Sequence, residues 1–559
     1  MNVNIDKGTG TGEKITVYHW LVVILASCGW LFDCMDQRLF VLARQSAMKE
    51  VLANNAEALA SLQTYLGYAT TAMIIGWATG GIFFGMMSDK WGRVKTMMAT
   101  LLVYSGFTGL TGFAQTWVDF TIYRFLVGLG VGGMFGAATT LVAESVPGRF
   151  RSIALGSLQA LSATGNILGS LITLWIPPGA ERYWSHYSGW RILFFVGILP
   201  ALLAIPIMIV LREPEAWKKA KQEAASGKGS KNIGSPIELF RSVRWRKNTL
   251  VGLFLGLSGM IGLWAVGFFS PELITTALQN TPIREVDLNK PAQICSVLKD
   301  PQNPLGVYLK EKLSPQFQTQ VGAWDAAKDA EASALKPAMA AELNRLIQGG
   351  VIYNTNAFKS VTIKDATLKL VARANEKKET NDVLLANRQI LEQSFPGAIA
   401  SLQAYIDKVR GRGLALQDAG AFIGMMVITL VASFMGRRLA FLISFLLCLG
   451  ITIFVFYSLK TETDAYWMLP MMGFAQLAVF ACYSIYFPEL FPTRLRGTGV
   501  GFCYNTVRYL AAPTPTIMGY LSGLLSFREA AIIMSFIYVV GIVALIWAPE
   551  TKGKPLPED

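Results

Sequence analysis

Hydrophobic and polar positions follow one another along this chain in long blocks rather than in the short periods of a soluble domain. Apolar runs of about twenty residues lie near 17–38, 64–87, 95–114, 118–142, 152–176 and 190–211. A second set lies near 249–271, 415–435, 439–459, 466–487, 498–523 and 528–548. At 1.5 Å per residue a helix needs about twenty residues to cross ~30 Å of hydrocarbon, so each run is long enough to span a bilayer. The pattern predicts an all-α membrane protein of twelve transmembrane helices in two pseudo-symmetric six-helix bundles. It divides the chain into a first bundle at 1–211, a linker at 212–248, helix seven at 249–273, an insert at 274–413, and five helices with a tail at 414–559.

The polar blocks add orientation. The linker is rich in base, with Lys218, Lys219, Lys221, Arg241, Arg244, Arg246 and Lys247. Short links carrying Lys90, Arg93, Lys95, Arg149, Arg151, Arg437, Arg438, Arg494 and Arg496 fall on the same side as the linker when the N-terminus is inside. Lys and Arg accumulate on the cytoplasmic side of membrane proteins, so both termini are expected in the cytoplasm and the insert outside, in an inner or plasma membrane. The insert is about a hundred residues longer than the equivalent link between spans one and two and has no membrane-length run. Met339 to Ile347 and Leu384 to Ile406 have helical amphipathic periodicity, which predicts an added domain or a long helical hairpin. A surface elaboration is the plain reading of it, and a protein partner at the outer insert the more specific one.

Composition agrees with a bilayer. Of 559 residues 52% are hydrophobic and 16% charged, with a mean hydropathy of +0.40. The net charge of +13 is explained by the inner-side links, so nucleic acid is not implied. Cys28, Cys34, Cys448, Cys482 and Cys503 lie in apolar runs and only Cys295 in the insert, which gives no disulfide framework. His19 and His186 form no ligand-spaced set, so neither a metal nor another cofactor is expected. Leu25-Ala26-Ser27-Cys28 has the form of a lipoprotein cleavage site, but the apolar run continues through Leu31 and Phe32, and the N-terminus is expected to be retained.

One signature is written twice, about 345 residues apart. The first copy is Gly85-Met86-Met87-Ser88-Asp89-Lys90-Trp91-Gly92-Arg93, followed by Glu144-Ser145-Val146-Pro147-Gly148-Arg149-Phe150-Arg151. Met435-Gly436-Arg437-Arg438 and Glu489-Leu490-Phe491-Pro492-Thr493-Arg494-Leu495-Arg496 answer it, with Thr429 and Ser433 where glycine and aspartate stand in the first copy. Gly85 lets a helix end approach a neighbour, Gly92 permits a tight turn, and Asp89 can cap a helix or meet Arg93. Such contacts would latch one face of the bundle in one state, with Glu144, Arg151, Glu489 and Arg496 as further gating residues; because Thr429 and Ser433 replace glycine and aspartate in the second copy, the latch is expected to work on one half only.

These residues resemble the major facilitator superfamily, whose loop between helices two and three reads Gly-x-x-x-Asp-Lys/Arg-x-Gly-Arg-x-Lys. Tyr123 to Gly133, Pro488-Glu489…Pro492-Thr493 and Pro549-Glu550-Thr551-Lys552-Gly553 are similar to its sugar-porter and organic-ion branches. Asp33-Cys34-Met35-Asp36 is similar to the Asp-Gly-x-Asp motif of aromatic-acid/proton symporters, with cysteine in place of glycine. The resemblance implies alternating access, and for Asp36 a role in proton coupling.

Ionised groups at membrane depth cost at least ~2.5–3.5 kcal/mol, and such groups usually mark function. Asp36, with Asp33 second, is the expected proton carrier, and Arg124 in span four is its natural partner; a static ion pair that fixes packing is the competing reading. Arg508 in span eleven has no acidic neighbour in the second half and is placed to receive a substrate carboxylate, with Asn505 beside it. Gln159, Asn166 and Gln476 can line a cavity or simply bond neighbouring helices. Trp264 and Phe268 in span seven can stack on an aromatic substrate, although aromatic membrane residues more often pack or meet lipid. Span seven lacks the glutamine and asparagine cluster of sugar porters. The expectation is a proton-coupled transporter of a small organic anion such as an aromatic acid. A sugar or polyol transporter, and a transporter-like nutrient sensor, are the alternatives. No nucleophile–base set or phosphate loop suggests an enzyme.

Overall fold

The computed structural model describes residues 14–53, 62–179, 187–226 and 233–558. The described secondary structure is helical throughout, with only isolated bridges such as Leu288 to Ile399. His186 lies outside the described residues.

The chain divides into two compact units. The larger comprises Met1–Ser270, Leu414–Ser458 and Tyr466–Asp559, and the smaller Pro271–Gly413 and Leu459–Ala465. In the larger unit the first six apolar runs become α1 Val17–Val51, α2 Leu62–Trp91, α3 Arg93–Thr111, α4 Trp117–Ser145, α5 Gly148–Trp175 and α6 Gly189–Val210. The linker contains α7 Glu215–Ala225. The later runs become α8 Val243–Ile261, α9 Leu402–Met435, α10 Arg437–Ser458, α11 Glu462–Leu490, α12 Arg496–Asn505, α13 Val507–Ala511, α14 Thr514–Leu524 and α15 Phe527–Ala544. Among the described residues, eight helices are long and apolar enough to cross a membrane: α1, most of α2, α4, α6, α9, α10, α11 and α15.

The runs near 249–271 and 498–523 are interrupted. After α8 the chain makes a π-turn at Gly262–Val266 and a 3-10 turn at Gly267–Phe269 before a helix at Ser270–Leu278. Single π-turns inside helices gather at functional sites. The second run breaks at Thr506 and again at Ala512-Pro513, where proline supplies no N–H to the ladder.

Local sequence explains several helix starts. Thr116 and Asp119 form a capping box at α4, the Thr116 hydroxyl accepting from Asp119 N at 3.1 Å and Asp119 accepting from Thr116 N at 3.0 Å. Ser526 and Glu529 repeat the device at α15. α4 is buried along most of its length, and its glycine row lets α2 approach: a Cβ on Gly132 would lie 2.1 Å from Trp77 O. That row is helix packing.

The smaller unit has its own core, including Ile283, Leu288, Ile294, Leu309, Phe317, Trp324, Leu343, Phe358 and Ile390. Met339 to Ile347 falls in a helix at Lys336–Gln348. The 384–406 stretch is not one helix; Thr380–Ser394 ends before Pro396 and Gly397, the latter at φ +74°, and α9 begins at Leu402. Asn387 ties this unit together, accepting from Ile352 N at 3.0 Å and donating to Ile347 O at 3.1 Å. Arg284 and Asp287 form a fork beside the buried Arg388.

Candidate functional site: buried charges between two halves

Within the larger unit α1–α6 and α8–α15 form two halves that meet along α2 and α12. The close approach depends on glycine: a Cβ on Gly85 would lie 2.7 Å from Gly497 O and 3.2 Å from Gly501 Cα. At this end Asp89 accepts from Gly497 N at 3.0 Å and from Thr498 N and Oγ1 at 2.7 Å, so its carboxylate caps the N-terminus of α12 in the opposite half. Arg93 stands 3.2 Å from Asp89 and fully buried.

Arg93 donates to Glu144 at 2.9 and 3.0 Å, to Ser88 O at 2.9 Å, and across the interface to Thr493 O at 2.7 Å. Glu144 also pairs with Arg496 of the second half. The pseudo-symmetric copy is present. Arg437 donates to Glu489 at 3.0 and 2.8 Å, to Ala432 O at 3.0 Å, and across the interface to Ser152 Oγ at 2.6 Å. Arg151 donates to Ala143 O at 2.9 Å as Arg496 does to Pro488 O at 2.9 Å, and Arg151 lies within electrostatic reach of Glu489. The arginine–glutamate contacts of the signature are therefore present in both halves. Gly85 and Asp89 lack counterparts: Thr429 and Ser433 stand in their places, and the Ser433 hydroxyl turns back to Thr429 O at 2.7 Å.

Gly92 (φ +124°) and Gly436 (φ +115°) make the turns before α3 and α10, a backbone shape side chains rarely adopt. A glutamate caps each helix that follows. Glu213 accepts from the backbone N–H of Arg93, Val94 and Lys95 at 2.7, 3.0 and 3.2 Å, and Glu550 from Arg437 and Arg438 at 3.0 and 3.1 Å. Burial pushes the Glu550 carboxyl up, but the N–H groups of Arg437, Lys552, Arg438 and Thr551 outweigh it and hold it below the ordinary glutamate range. Neither cap was foreseen from the sequence, although both glutamates follow the last helix of their half.

Deeper in the larger unit Asp33, Asp36 and Arg124 are fully buried. Asp36 accepts from Thr108 at 2.8 Å and lies 3.8 Å from Arg124, which donates to Thr111 at 2.5 Å and lies 4.7 Å from the Phe194 ring. Asp33 is different, because neither of its oxygens has a hydrogen-bond partner in the protein and Arg508 is the cation that acts on it. Arg508 donates to Tyr504 O at 2.9 Å and to Asn505 Oδ1 at 2.5 Å, while its Nε has no partner. Its guanidinium lies between two aromatic rings, 4.0 Å from Trp77 and 4.6 Å from Tyr504. Arg508 is therefore held by two rings, a carbonyl and an amide.

Trp264, in the π-turn, meets Trp77 edge-on at 6.3 Å; the Phe268 side chain lies outside the described residues. Below Arg508, Tyr504 stacks on Phe135 at 3.9 Å and Phe135 meets Trp30. Gln159 is buried with its Oε1 unpartnered. Gln476 donates to Thr452 at 3.2 Å, and its Oε1 is also unpartnered.

At the other end Arg38 of α1 donates to Asp418 of α9 at 2.5 Å, and Asn166 also donates to Asp418. This pair was not anticipated; an aspartate inside the 415–435 run was the signal for it. The interface is therefore bridged at both ends, with Asp33, Arg508, Trp77 and Gln159 between.

Residues 27–281 match the family model of the Major Facilitator Superfamily, and residues 415–558 that of the Sugar (and other) transporter family. A Cis,cis-muconate transport protein of Acinetobacter baylyi is 32% identical over 210 residues, 37% of this chain and 47% of that one. A Benzoate transport protein of the same organism is 29% identical over 338 residues, 55% of this chain and 68% of that one. The chain spans about half the length of the first of these curated relatives. The structure of the proton:xylose symporter XylE bound to 6-bromo-6-deoxy-D-glucose matches with a TM-score of 0.57 at 16% identity, covering 96% of this chain and 98% of that one. At that identity the likeness is one of fold.

Proposed function

The chain belongs to the major facilitator superfamily, and on that premise we propose that it is a proton-coupled secondary transporter of a small organic acid, working by alternating access in a cell membrane. The observation that carries the reading is the buried Asp33 carboxylate, neither of whose oxygens has a hydrogen-bond partner, within electrostatic reach of the buried Arg508 of the opposite half. A carboxylate substrate brought to Arg508 places two anions beside one cation. Coulomb repulsion at low dielectric makes that arrangement costly, and a proton entering with the substrate restores the balance. Asp33 takes that proton and Asp36, in contact with Arg124, is the second group of the relay. The relatives are named for muconate and benzoate, both organic acids.

Alternating access follows from the two bridged ends. The Asp89 end carries the basic links and is assigned to the cytoplasm together with both termini. Arg38 with Asp418 closes the outer end, and residues 271–413 belong to the outer face. Each end opens when its bridges part, and the two cannot part together without exposing the site to both sides.

Uptake into proteoliposomes of labelled benzoate, cis,cis-muconate, xylose and glucose, with and without an inward proton gradient, tests this. Acid uptake driven by the gradient, lost in Arg508→Ala and uncoupled in Asp33→Asn, is the expected outcome. Acid uptake indifferent to the gradient would sink the coupling. A sugar or polyol is the second reading, because residues 415–558 match the sugar transporter family; sugar uptake that survives Arg508→Ala would establish it.

A further inference from the structure

Two buried side chains in contact with one another each carry an N–H donor without a partner. Trp77 is 5% exposed and its Nε1 has no partner; Arg508 is 2% exposed and its Nε has none. The guanidinium carbon is 4.0 Å from the Trp77 ring centroid, so the two groups are in contact. One comes from α2 and the other from α13, in opposite halves. Buried donors are nearly always satisfied, and both of these can only donate, so the protein itself leaves this place open to an acceptor.

The surroundings restrict which acceptor. Arg508 Nη1 is committed to Tyr504 O and Asn505 Oδ1, which fixes the guanidinium plane and leaves its Nε edge free. Tyr504 at 4.6 Å covers the guanidinium with a second ring, and Trp264 braces Trp77 edge-on. A planar anion with two oxygens fits a fixed pair of donors better than a hydroxyl does. We propose that Trp77 Nε1 and Arg508 Nε form a two-donor cradle for the carboxylate of the transported acid, which makes Trp77 a specificity-determining residue. The cradle rests on the assignment of Arg508 as the substrate anchor and adds a contact from the first half. Binding then joins the halves through one carboxylate, a natural trigger for their joint movement.

Trp77→Phe keeps the ring beneath Arg508 and removes the N–H, and Trp77→His returns an N–H to an aromatic ring. Initial rates of benzoate and cis,cis-muconate uptake are measured in proteoliposomes for wild type and both variants. Losing a hydrogen bond to a charged group raises KM about tenfold in Trp77→Phe, with kcat within about twofold, and Trp77→His recovers about threefold or more of the loss. An unchanged KM in Trp77→Phe overturns the cradle and leaves the Arg508 anchor standing. No carboxylate uptake by wild type overturns both. Should Trp77→Phe not accumulate, wild-type protein labelled with 15N-tryptophan decides: a buried indole resonance that shifts with benzoate and not with benzamide upholds the cradle, and no such shift refutes it.

Discussion

Asp33, Asp36, Arg38, Arg124, Asp418 and Arg508 are buried or half-buried charges away from the Asp89 end; Asp36 and Arg124 meet inside the first half, and Arg38 and Asp418 bridge the two. These pairs differ in what breaking them costs. Arg38 and Asp418 touch across the halves with side chains 18% and 11% exposed, so water can replace each partner as the pair opens. A charged hydrogen bond of this kind is worth ~1.5–3 kcal/mol, which corresponds to a shift of about tenfold or more in a two-state equilibrium. Asp418→Asn is expected to open that end and to raise the rate at which a water-soluble maleimide modifies the buried Cys34, read by mass spectrometry, by about that factor. The double exchange Arg38→Asp with Asp418→Arg restores protection; equal rates in all three proteins would mean that the pair does not hold the end shut. Asp36, Arg124 and Arg508 stood out in the sequence because charge in an apolar run is expensive. The same rule applied to Asp418 at the start of the 415–435 run, and its partner Arg38 follows the Asp33–Asp36 pair too closely to stand out. Trp77 gave no signal, since a tryptophan in a membrane helix has many ordinary reasons to be there.

At the scale of elements, Asp89 is a cap borrowed by one half from the other. A carboxylate at a helix N-terminus contributes ~1–2 kcal/mol, and this one exists only while α2 and α12 touch. Asp89→Asn should therefore weaken closure of that end by about tenfold, measured as the closed fraction between probes on α2 and α12. Gly85→Leu should prevent closure, because a Cβ 2.7 Å from Gly497 O leaves no room for a side chain. A Gly85→Leu protein that still closes fully would show that the two helices have slack. Helix existence was legible from apolar run length, whereas the capping boxes that set the starts of α4 and α15 emerged with the structure. The breaks after α8 and at Thr506 were not legible, because glycine and threonine within an apolar run are common in unbroken membrane helices.

At the scale of the whole molecule the smaller unit responds to acid through its own carboxyls. Burial raises Asp287, but hydrogen bonds and charge from Arg284 and then Arg388 outweigh it, so the group titrates below the ordinary aspartate range. Burial likewise raises Glu342, while Arg345 and Ser314 bring it below the ordinary glutamate value. An acid depressed on folding contributes stability that is present above its unfolded pKa and lost as pH falls through its folded one. Glu392, raised first by burial against the pull of Arg388, works in the opposite sense and offsets part of that loss. With two groups against one, protection of amides in segments 283–299 and 336–348 against hydrogen exchange should fall as pH drops below about 4; protection that rises there would reverse the assignment. The existence of an added folded unit could be anticipated from a polar stretch too long for a loop, whereas its own hydrophobic core emerges only when its short helices are assembled. In the larger unit, Glu213 and Glu550 each stitch the chain that follows the last helix of a half back onto that half's third helix. Each half is thereby closed on itself like a buckled strap, and a buckled half behaves as a stiff lever. Distances measured within one half should stay constant through the transport cycle while distances across the halves change, and a fusion joined upstream of Glu550 would unbuckle one lever and slacken its stroke.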